Sequence, residues 1–251
     1  MMQTVHRFSD RVENYVKYRP HYPDAAIDHL WSLGGLTGDS IIADIGSGTG
    51  ISAEPLLQRG CTVYGVEPNG PMRIAAEQLL GHYSKFHSVD ATAERTNLAD
   101  NSVDAIICAQ AFHWFDRNLA RAEFQRIGKP GALVALLWNA RLTSTPFLAD
   151  YERLLLRHGT DYADVNHENI REEDIRAFLG DGMQCSSFSN EQHFTLEGLR
   201  GRLLSCSYVP LQGQPGHDEL FGGMEKLFHE HERKGNVVFS YETRVFSAKF
   251  A

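Results

Sequence analysis

Three glycines stand at alternate positions in the stretch Asp44-Ile45-Gly46-Ser47-Gly48-Thr49-Gly50, which directly follows a short apolar run. Because glycine has no Cβ, the backbone of such a loop can turn sharply and approach a ligand closely. Asp44 stands two residues before the first glycine. A carboxylate at this place attracts a cationic group and repels a phosphate. The loop therefore predicts a site for a ligand that carries an ammonium group.

The same loop has a second interpretation, as a dinucleotide-binding fingerprint. The segment Gly48-Thr49-Gly50-Ile51-Ser52-Ala53 has the form G-x-G-x-x-A, and Glu67 follows at about the spacing of an acid that binds ribose hydroxyls. An NAD-dependent dehydrogenase is therefore an alternative function. A non-catalytic cofactor-binding module, which would keep the loop and lack an acceptor site, is another. Titration with NAD tests the first alternative, and a search for turnover tests the second.

A parallel sheet is needed to position these residues. Apolar runs of strand length alternate with helical stretches through the first half of the chain, which is typical of βα units. Strands are predicted at 40–44, 62–67, 85–90, 103–109 and 132–137, and helices at 52–58, 72–80 and 118–127, the last one ending before a turn at 129–131. Asp44, Glu67 and Asp90 end the first three strands at intervals of 23 residues. All three carboxylates should lie at the carboxyl edge of the sheet, where open α/β sheets bind ligands.

The second half of the chain predicts further helices and two more strands. Strands are expected at 184–194 and 237–246, where the latter alternates in polarity, and helices at 196–206 and 218–233. We therefore predict an α/β fold with a Rossmann-like doubly wound sheet, mostly parallel with an antiparallel last strand, and a helical cap. A single domain over 1–251 would comprise an N-terminal lid segment (about 1–37), a cofactor-binding core (38–141), cap helices and a strand (142–235), and the last strand (236–251).

In this order, the motifs resemble those of the class I S-adenosylmethionine-dependent methyltransferases. Their glycine motif is similar to residues 43–50, their second-strand acid to Val66-Glu67-Pro68, and the segment leading to their fourth strand to residues 98–104. The resemblance extends from about residue 8 to residue 250. It implies an enzyme that uses S-adenosyl-L-methionine as its cofactor and transfers a methyl group by in-line displacement.

Three segments are similar to a narrower branch, the small-molecule methyltransferases near trans-aconitate methyltransferase. They are Tyr18-Arg19-Pro20-His21-Tyr22-Pro23, Ala109-Gln110-Ala111-Phe112-His113-Trp114-Phe115 and Ser205-Cys206-Ser207-Tyr208. This resemblance implies a small organic molecule as the methyl acceptor, with a carboxylate as a candidate. The acceptor itself and the accepting atom stay open.

The resemblance also implies roles for individual residues. The glycine loop and Asp44 would hold the methionine moiety, and Glu67 would accept the ribose hydroxyls. Adenine would lie at Thr92 and Ala93, or at Asp90-Ala91 if the register follows the strand end instead. The expected cofactor-binding residues are Tyr18, Arg19, Asp44, Gly46, Ser47, Gly48, Gly50, Glu67, Pro68, Met72, Thr92, Ala93 and Gln110.

Candidates for the acceptor site follow the fourth and fifth strands or lie in the cap. In-line displacement needs alignment of the two reactants and exclusion of water, so no catalytic triad is required. His113 is either a general base or an aromatic pocket wall. Arg141 can clamp a carboxylate through two hydrogen bonds, and the hydroxyl of Tyr208 can align the acceptor if the cap closes over the site. We predict catalytic roles for these three residues.

Composition excludes several other classes of protein. The 24 Lys and Arg residues against 32 Asp and Glu residues give a net charge of -8, which argues against nucleic acid as a partner. The apolar run at 132–138 is far shorter than the roughly 20 residues that span a bilayer, and no export signal is recognised at the N-terminus, so no membrane partner is expected. Oligomeric state is left open.

Cysteine and histidine spacing gives no metal or disulfide pattern. The four cysteines are scattered, which favours a reduced, cytoplasmic protein. His229-Glu230-His231-Glu232 lacks the second histidine of H-E-x-x-H, because Arg233 stands at that position. We expect no metal in the site.

Overall fold

The structure, a computed structural model, describes residues 11–160, 162 and 171–250. The first ten residues of the predicted lid segment lie outside the described residues. So do residues 161 and 163–170.

Seven strands form one sheet, as the sequence predicts. They are β1 (Ile41–Ile45), β2 (Thr62–Val66), β3 (Phe86–Val89), β4 (Val103–Ala109), β5 (Gly128–Arg141), β6 (Gln184–Phe194) and β7 (Val237–Lys249). The strand order is β3-β2-β1-β4-β5-β7-β6. Strands β1 to β5 pair in parallel, whereas β7 lies antiparallel between β5 and β6. This arrangement confirms the Rossmann-like doubly wound fold with an antiparallel last strand.

Nine α-helices are found in the described part of the chain. They are α1 (Val12–Tyr18), α2 (Asp24–Gly34), α3 (Glu54–Gln58), α4 (Gly70–Leu80), α5 (Arg117–Ile127), α6 (Pro146–His158), α7 (Glu172–Leu179), α8 (Leu196–Leu204) and α9 (His217–His231). A short 3-10 turn, Phe112–Trp114, follows β4. Helix α3 begins two residues later than predicted, because Pro55 stands in its first turn, the position where a missing N–H costs nothing.

The predicted turn at 129–131 is wrong, since these residues belong to β5. Val103 pairs with Gly128 and Ala105 with Leu133, so β5 carries extra residues at this point. Gly131 adopts a φ of 79°, which glycine tolerates. Its N–H donates to the carbonyl of Phe250, 2.9 Å away. The bulge lets the strand begin four residues earlier than its apolar run.

The core lies on both faces of the sheet and beneath the cap. Helices α2, α3 and α4 bury their apolar sides against one face, and α5 and α7 against the other. Alternation along β1 explains the division, because Ile42 faces the first layer and Ala43 the second. A third cluster joins α6, α8 and α9 to the ends of β6 and β7. In the described residues, no helix is both long enough and apolar enough to span a bilayer.

Candidate active site

A cavity of about 470 Å³ opens at the carboxyl ends of β1, β2, β4 and β5 and extends under the cap. Its volume is in the range of small-molecule sites. Thirteen of the predicted site residues line it: Arg19, Gly46, Ser47, Gly48, Glu67, Pro68, Met72, Thr92, Ala93, Gln110, His113, Arg141 and Tyr208. The structure therefore brings together residues from the leading segment, the sheet edge and the cap.

The glycine loop is held by hydrogen bonds of its own. The N–H groups of Gly46 and Ser47 donate to the carbonyl of Val66, at 2.8 and 3.2 Å, and the N–H of Gly50 donates to Ser47. Gly46 has a φ of 69°, and a Cβ there would lie 2.4 Å from the side chain of Ala111. Only glycine fits at this position. The loop is thus packed against β2 and the end of β4.

Glu67 links β2 to the glycine loop. One carboxylate oxygen accepts from the N–H of Gly48 at 2.9 Å, and the other accepts from the N–H of Asn69 at 2.8 Å. Burial raises the pKa of Glu67 above its ordinary value, while these two bonds oppose the rise. A carboxylate has about four acceptor sites. Because Glu67 lines the cavity, its remaining acceptor sites can bind ligand hydroxyls.

Asp44 lies beneath the loop rather than in the cavity wall, which corrects the expectation that it touches the ligand. Its side chain is completely buried. Oδ2 accepts from the hydroxyl of Ser52 at 2.7 Å, whereas Oδ1 has no hydrogen-bond partner among the described residues. Burial raises the pKa of Asp44 to about 7, and the charge of Glu67 adds to this. Ser52, the hydrogen-bond partner of Asp44, does line the cavity.

Tyr18 and Gly50 are also absent from the cavity lining. The Tyr18 ring packs against Gly201 of α8, because that glycine leaves room for it, so Tyr18 joins the cap cluster instead. Gly50 has a φ of 87°, and a Cβ there would lie 2.4 Å from Leu80 of α4. Gly50 therefore allows the loop to pack closely against α4.

The loop after β3 presents Thr92, Ala93 and Glu94 to the cavity. Asp90, the residue that the alternative register places at adenine, does not line the cavity. Its carboxylate pairs with Arg73 at 2.8 Å. Arg73 also donates to the carbonyl of Glu67 at 2.9 Å. The register that places Thr92 and Ala93 at adenine therefore agrees with the lining of the cavity.

The segment after β4 forms one wall. Gln110 has a φ of 59° and its N–H donates to the carbonyl of Leu137 at 2.9 Å, which joins β4 to β5 at the cavity. His113 lies in the 3-10 turn with its ring centroid 4.4 Å from that of Trp114. Phe112 is buried beneath, among Phe115 and Trp138. His113 thus lies in an aromatic cluster and also lines the cavity.

Arg141 is held in place at the end of β5. Its Nη2 group donates to Glu152 of α6 and to the hydroxyl of Tyr162, the latter at 3.0 Å. The guanidinium stacks over the Tyr151 ring, 4.7 Å from its centroid. Tyr208 packs edge-on against Tyr162 at 4.7 Å. Both predicted acceptor residues therefore lie together under the cap, and Arg141 has an internal acid for a partner.

Sequence reasoning missed several lining residues: Asn139, Glu152, Tyr162, Arg202 and Tyr241. Asn139 could have been found, because it lies near the carboxyl end of β5. Glu152 and Arg202 come from cap helices and Tyr241 from β7, and the orientation of these side chains depends on tertiary packing. In the part of the chain that the structure describes, no group of three His, Cys, Asp or Glu side chains is placed to hold a metal ion.

Comparison with known proteins places this cavity in a family context. A family model described as a methyltransferase domain matches residues 43–136. An uncharacterized methyltransferase of Mycobacterium tuberculosis is 34% identical over 157 residues, which cover 62% of this chain and 62% of the relative, less than two thirds of its length. An uncharacterized methyltransferase-like protein of Schizosaccharomyces pombe is 26% identical over 257 residues, covering 96% of this chain and 94% of the relative.

Solved structures share the fold. A protein of Anaeromyxobacter dehalogenans, proposed to be a type II methyltransferase, has a TM-score of 0.69 at 23% identity over 92% of this chain and 98% of that chain. Geranyl diphosphate C-methyltransferase from Streptomyces coelicolor was solved with S-adenosyl-L-homocysteine. Its structure has a TM-score of 0.53 and 15% sequence identity, and the alignment covers 91% of this chain and 76% of that chain. The stretch that matches the methyltransferase domain, residues 43–136, includes the glycine loop, Glu67 and the segment after β4.

Proposed function

We propose that this protein transfers the methyl group of S-adenosyl-L-methionine to a small organic molecule, and that the acceptor is a carboxylate. One observation carries the choice of cofactor. The amides of Gly46, Ser47 and Gly48 are all used by oxygens of the chain, and two acids lie beside them. A pyrophosphate would need such amides free and would be repelled by the acids. An NAD-dependent dehydrogenase is therefore disfavoured.

The residues at the sheet edge suit the cofactor. The unpartnered oxygen of Asp44 is a buried negative group that a ligand ammonium would stabilise. Glu67 has acceptor sites left for the ribose hydroxyls, and Thr92 and Ala93 border the place for adenine. Arg19 lines the opposite side, where it can bind the carboxylate of the methionine moiety.

When bound, S-adenosyl-L-methionine supplies a methyl group on a sulfonium that is already an activated leaving group. The chain then has to align the acceptor and exclude water. His113 and Trp114 border the space after β4, and Arg141 and Tyr208 border it from β5 and the cap. Both hydrogen bonds of Arg141 use Nη2, so its other donors can orient an acceptor carboxylate. A carboxylate is ionised at neutral pH and needs no general base.

The narrower resemblance to methyltransferases near trans-aconitate methyltransferase makes di- and tricarboxylates the acceptors to try first. Reaction in a reducing, cytoplasmic compartment is part of the proposal, because Cys61, Cys108, Cys185 and Cys206 are free thiols.

Isothermal titration tests the cofactor. S-adenosyl-L-methionine and S-adenosyl-L-homocysteine should bind and NAD should not, whereas binding of NAD alone would overturn the proposal. Glu67→Ala should weaken binding of both ligands about 10- to 100-fold, since it removes hydrogen bonds to a charged group. Glu197→Ala, an exposed acid on α8, is the control and should bind as the wild type does.

The acceptor is tested by turnover with small carboxylic acids. Arg141→Ala should raise the KM for the acid and leave the affinity for S-adenosyl-L-homocysteine unchanged. An unaltered KM would remove Arg141 from the acceptor site. If the cofactor binds and no acid, phenol or amine is methylated, the protein is a cofactor-binding module rather than an enzyme.

A further inference from the structure

Arg202 of α8 lines the cap end of the cavity and is 7% exposed. Its Nη1 group lies 2.9 Å from the Cys206 sulfur and 3.4 Å from the Ser205 hydroxyl, and its Nε has no hydrogen-bond partner. Among the described residues, no Asp or Glu forms an ion pair with it. Buried Arg side chains are normally paired with an anion, because desolvating an unpaired cation is costly. Arg202 therefore has no carboxylate partner in the described chain, and the nearest group that can ionise is the Cys206 thiol.

Neighbouring groups compensate only part of the charge of Arg202. Glu152, an acid on this side of the cavity, forms an ion pair with Arg141. Its negative charge is therefore compensated by Arg141 and does not pair with Arg202. Arg19 donates to the carbonyl of Ser205 at 2.9 Å and places a further positive charge close by. Burial opposes ionisation of the Cys206 thiol, but Arg202 and Arg19 outweigh it and lower the thiol pKa to about 7. The local charge balance is positive even though the whole chain is acidic.

The cavity is consequently polarised. Glu67, with the buried Asp44 behind it, gives the sheet edge its acidic groups, and Arg202, Arg141 and Arg19 make the cap end positive. A cationic group belongs at the first end and an anion at the second. The rings of Tyr208 and Tyr241 also line the cavity, and the hydroxyl of Tyr241 donates its proton to Gln192 at 3.0 Å, so the arginines are the charged donors at this end.

We propose that Arg202 is the residue that selects the methyl acceptor, by binding an anionic group of it at the cap end of the cavity. This inference rests on the proposed function. It differs from the role of Arg141, which is partly neutralised by Glu152 and aligns the reacting group. Arg202 would bind a second anionic group, so acceptors with two such groups should be preferred. The carboxylate of the cofactor is the competing occupant, and the experiment separates the two.

The experiment is calorimetric titration of the full chain, saturated with S-adenosyl-L-homocysteine. The probes are succinate, citrate and inorganic phosphate, with succinamide as the uncharged counterpart of succinate. Wild type should bind at least one of the anions and not succinamide. Arg202→Gln should weaken that binding at least 10-fold, as expected for a charge-assisted hydrogen bond, while the affinity for S-adenosyl-L-homocysteine stays within twofold. Preference for phosphate over both acids would identify a phosphorylated acceptor as the source of the anion.

Arg200→Gln is the matched control, because Arg200 stands on the same helix but is exposed and pairs with Glu225 at 2.8 Å. It should bind the probes as the wild type does. Arg202→Lys keeps the charge and should retain part of the affinity, which also guards against a glutamine variant that does not fold. Anion affinity that is equal in wild type and both Arg202 variants, or no anion binding by wild type, would overturn the proposal.

A loss confined to S-adenosyl-L-homocysteine binding in Arg202→Gln would assign the arginine to the cofactor instead. Failure of the wild type to bind S-adenosyl-L-homocysteine at all would contradict the proposed function itself. With an acceptor in hand, Arg202→Gln should raise its KM more than it lowers kcat, and more for a diacid than for the corresponding monoacid.

Discussion

At the scale of single residues, Asp44 and Glu67 have the same chemistry in different settings. Glu67 accepts two backbone N–H bonds and borders the cavity, whereas Asp44 is completely buried with one oxygen unpartnered. Both have a raised pKa because burial disfavours the charged form. We therefore propose different roles for the two acids: Glu67 binds ligand hydroxyls directly, and Asp44 contributes its charge from beneath the loop.

Asp44 makes cofactor binding depend on pH. Its pKa of about 7 means that the acid is largely protonated below that pH, and a ligand ammonium favours the ionised form. Binding should therefore release a proton, and affinity for S-adenosyl-L-homocysteine should fall as the pH drops from 8 to 6, by at most about tenfold per pH unit. Titrations in buffers of different ionisation enthalpy measure the proton. Asp44→Asn should bind without this release, and an unchanged release in that variant would contradict the assignment.

His113 is predicted to be a wall rather than a base. The ring lies against Trp114 in an aromatic cluster, and a carboxylate acceptor offers no proton to remove. His113→Ala should lower kcat about 2- to 10-fold through poorer alignment, with no change in the shape of the pH profile. Steady-state rates between pH 6 and 9 provide the check. A loss that recovers at high pH would instead make His113 the base.

At the scale of elements, two glycines within helices distinguish the effect of side-chain packing on stability from the effect of helix propensity. A Cβ at Gly201 of α8 would lie 1.9 Å from the Tyr18 ring, whereas one at Gly222 of α9 would meet nothing within 4 Å. Gly201→Ala should destabilise the fold by about 1–3 kcal/mol, because α1 must move away from α8. Gly222→Ala should be neutral or stabilise by up to about 1 kcal/mol. Urea unfolding measures both, and equal effects would refute the close contact.

Helix α5 holds the loop that follows Thr92 and Ala93. Glu123 accepts from the N–H and hydroxyl of Thr96, at 2.7 and 2.6 Å, and from Arg126 at 2.8 Å. The hydrogen bond from Arg126, with those from Thr96, lowers the pKa of Glu123 to about 2. The stability that these bonds give is present above the ordinary pKa of 4.5 and is lost as the pH falls toward 2.

Glu123→Gln should therefore destabilise the protein by about 1–3 kcal/mol at pH 7, since Thr96 and Arg126 lose a charged acceptor. The difference from wild type should shrink below pH 4. Thermal unfolding across that pH range is the measurement. Glu225→Gln, which removes an exposed partner of Arg200, should cost less than about 1 kcal/mol and serves as the control. A difference that grows in acid would have the wrong sign.

At the scale of the whole molecule, leading segment, sheet edge and cap all border one cavity. A ligand that fills it contacts elements from α1 to β7. Saturating S-adenosyl-L-homocysteine, at about 100 times its dissociation constant, should stabilise the folded chain by about 2.7 kcal/mol. Calorimetry should show a single transition that moves to higher temperature. Separate melting of the cap at an unchanged temperature would contradict a shared site.

Much of the fold could be predicted from the sequence, because βα repeats leave a strong local pattern. Strand β4 agrees with its predicted bounds, and the glycine loop lies where its spacing requires. The start of β5 could not be predicted, since its bulge depends on pairing with Val103. Tyr18 was misplaced for a similar reason: its contact with Gly201 joins residues far apart in the chain. Arg202 left no local pattern at all, because burial of a helical arginine is decided by what packs over it.

Strand β7 has a consequence for synthesis of the protein. The apolar stretch Ala132 to Trp138 of β5 is buried between β4 and β7, yet β7 is the last of the seven strands to leave the ribosome. While the cap is being made, that edge of β5 has no partner and can pair with other chains. Nascent chains are therefore at risk of aggregation until Val237 emerges. Fragments that stop before Val237 should therefore accumulate as insoluble material. When translation is slowed at low temperature, the complete chain should depend on chaperones that cover the unpaired edge of β5.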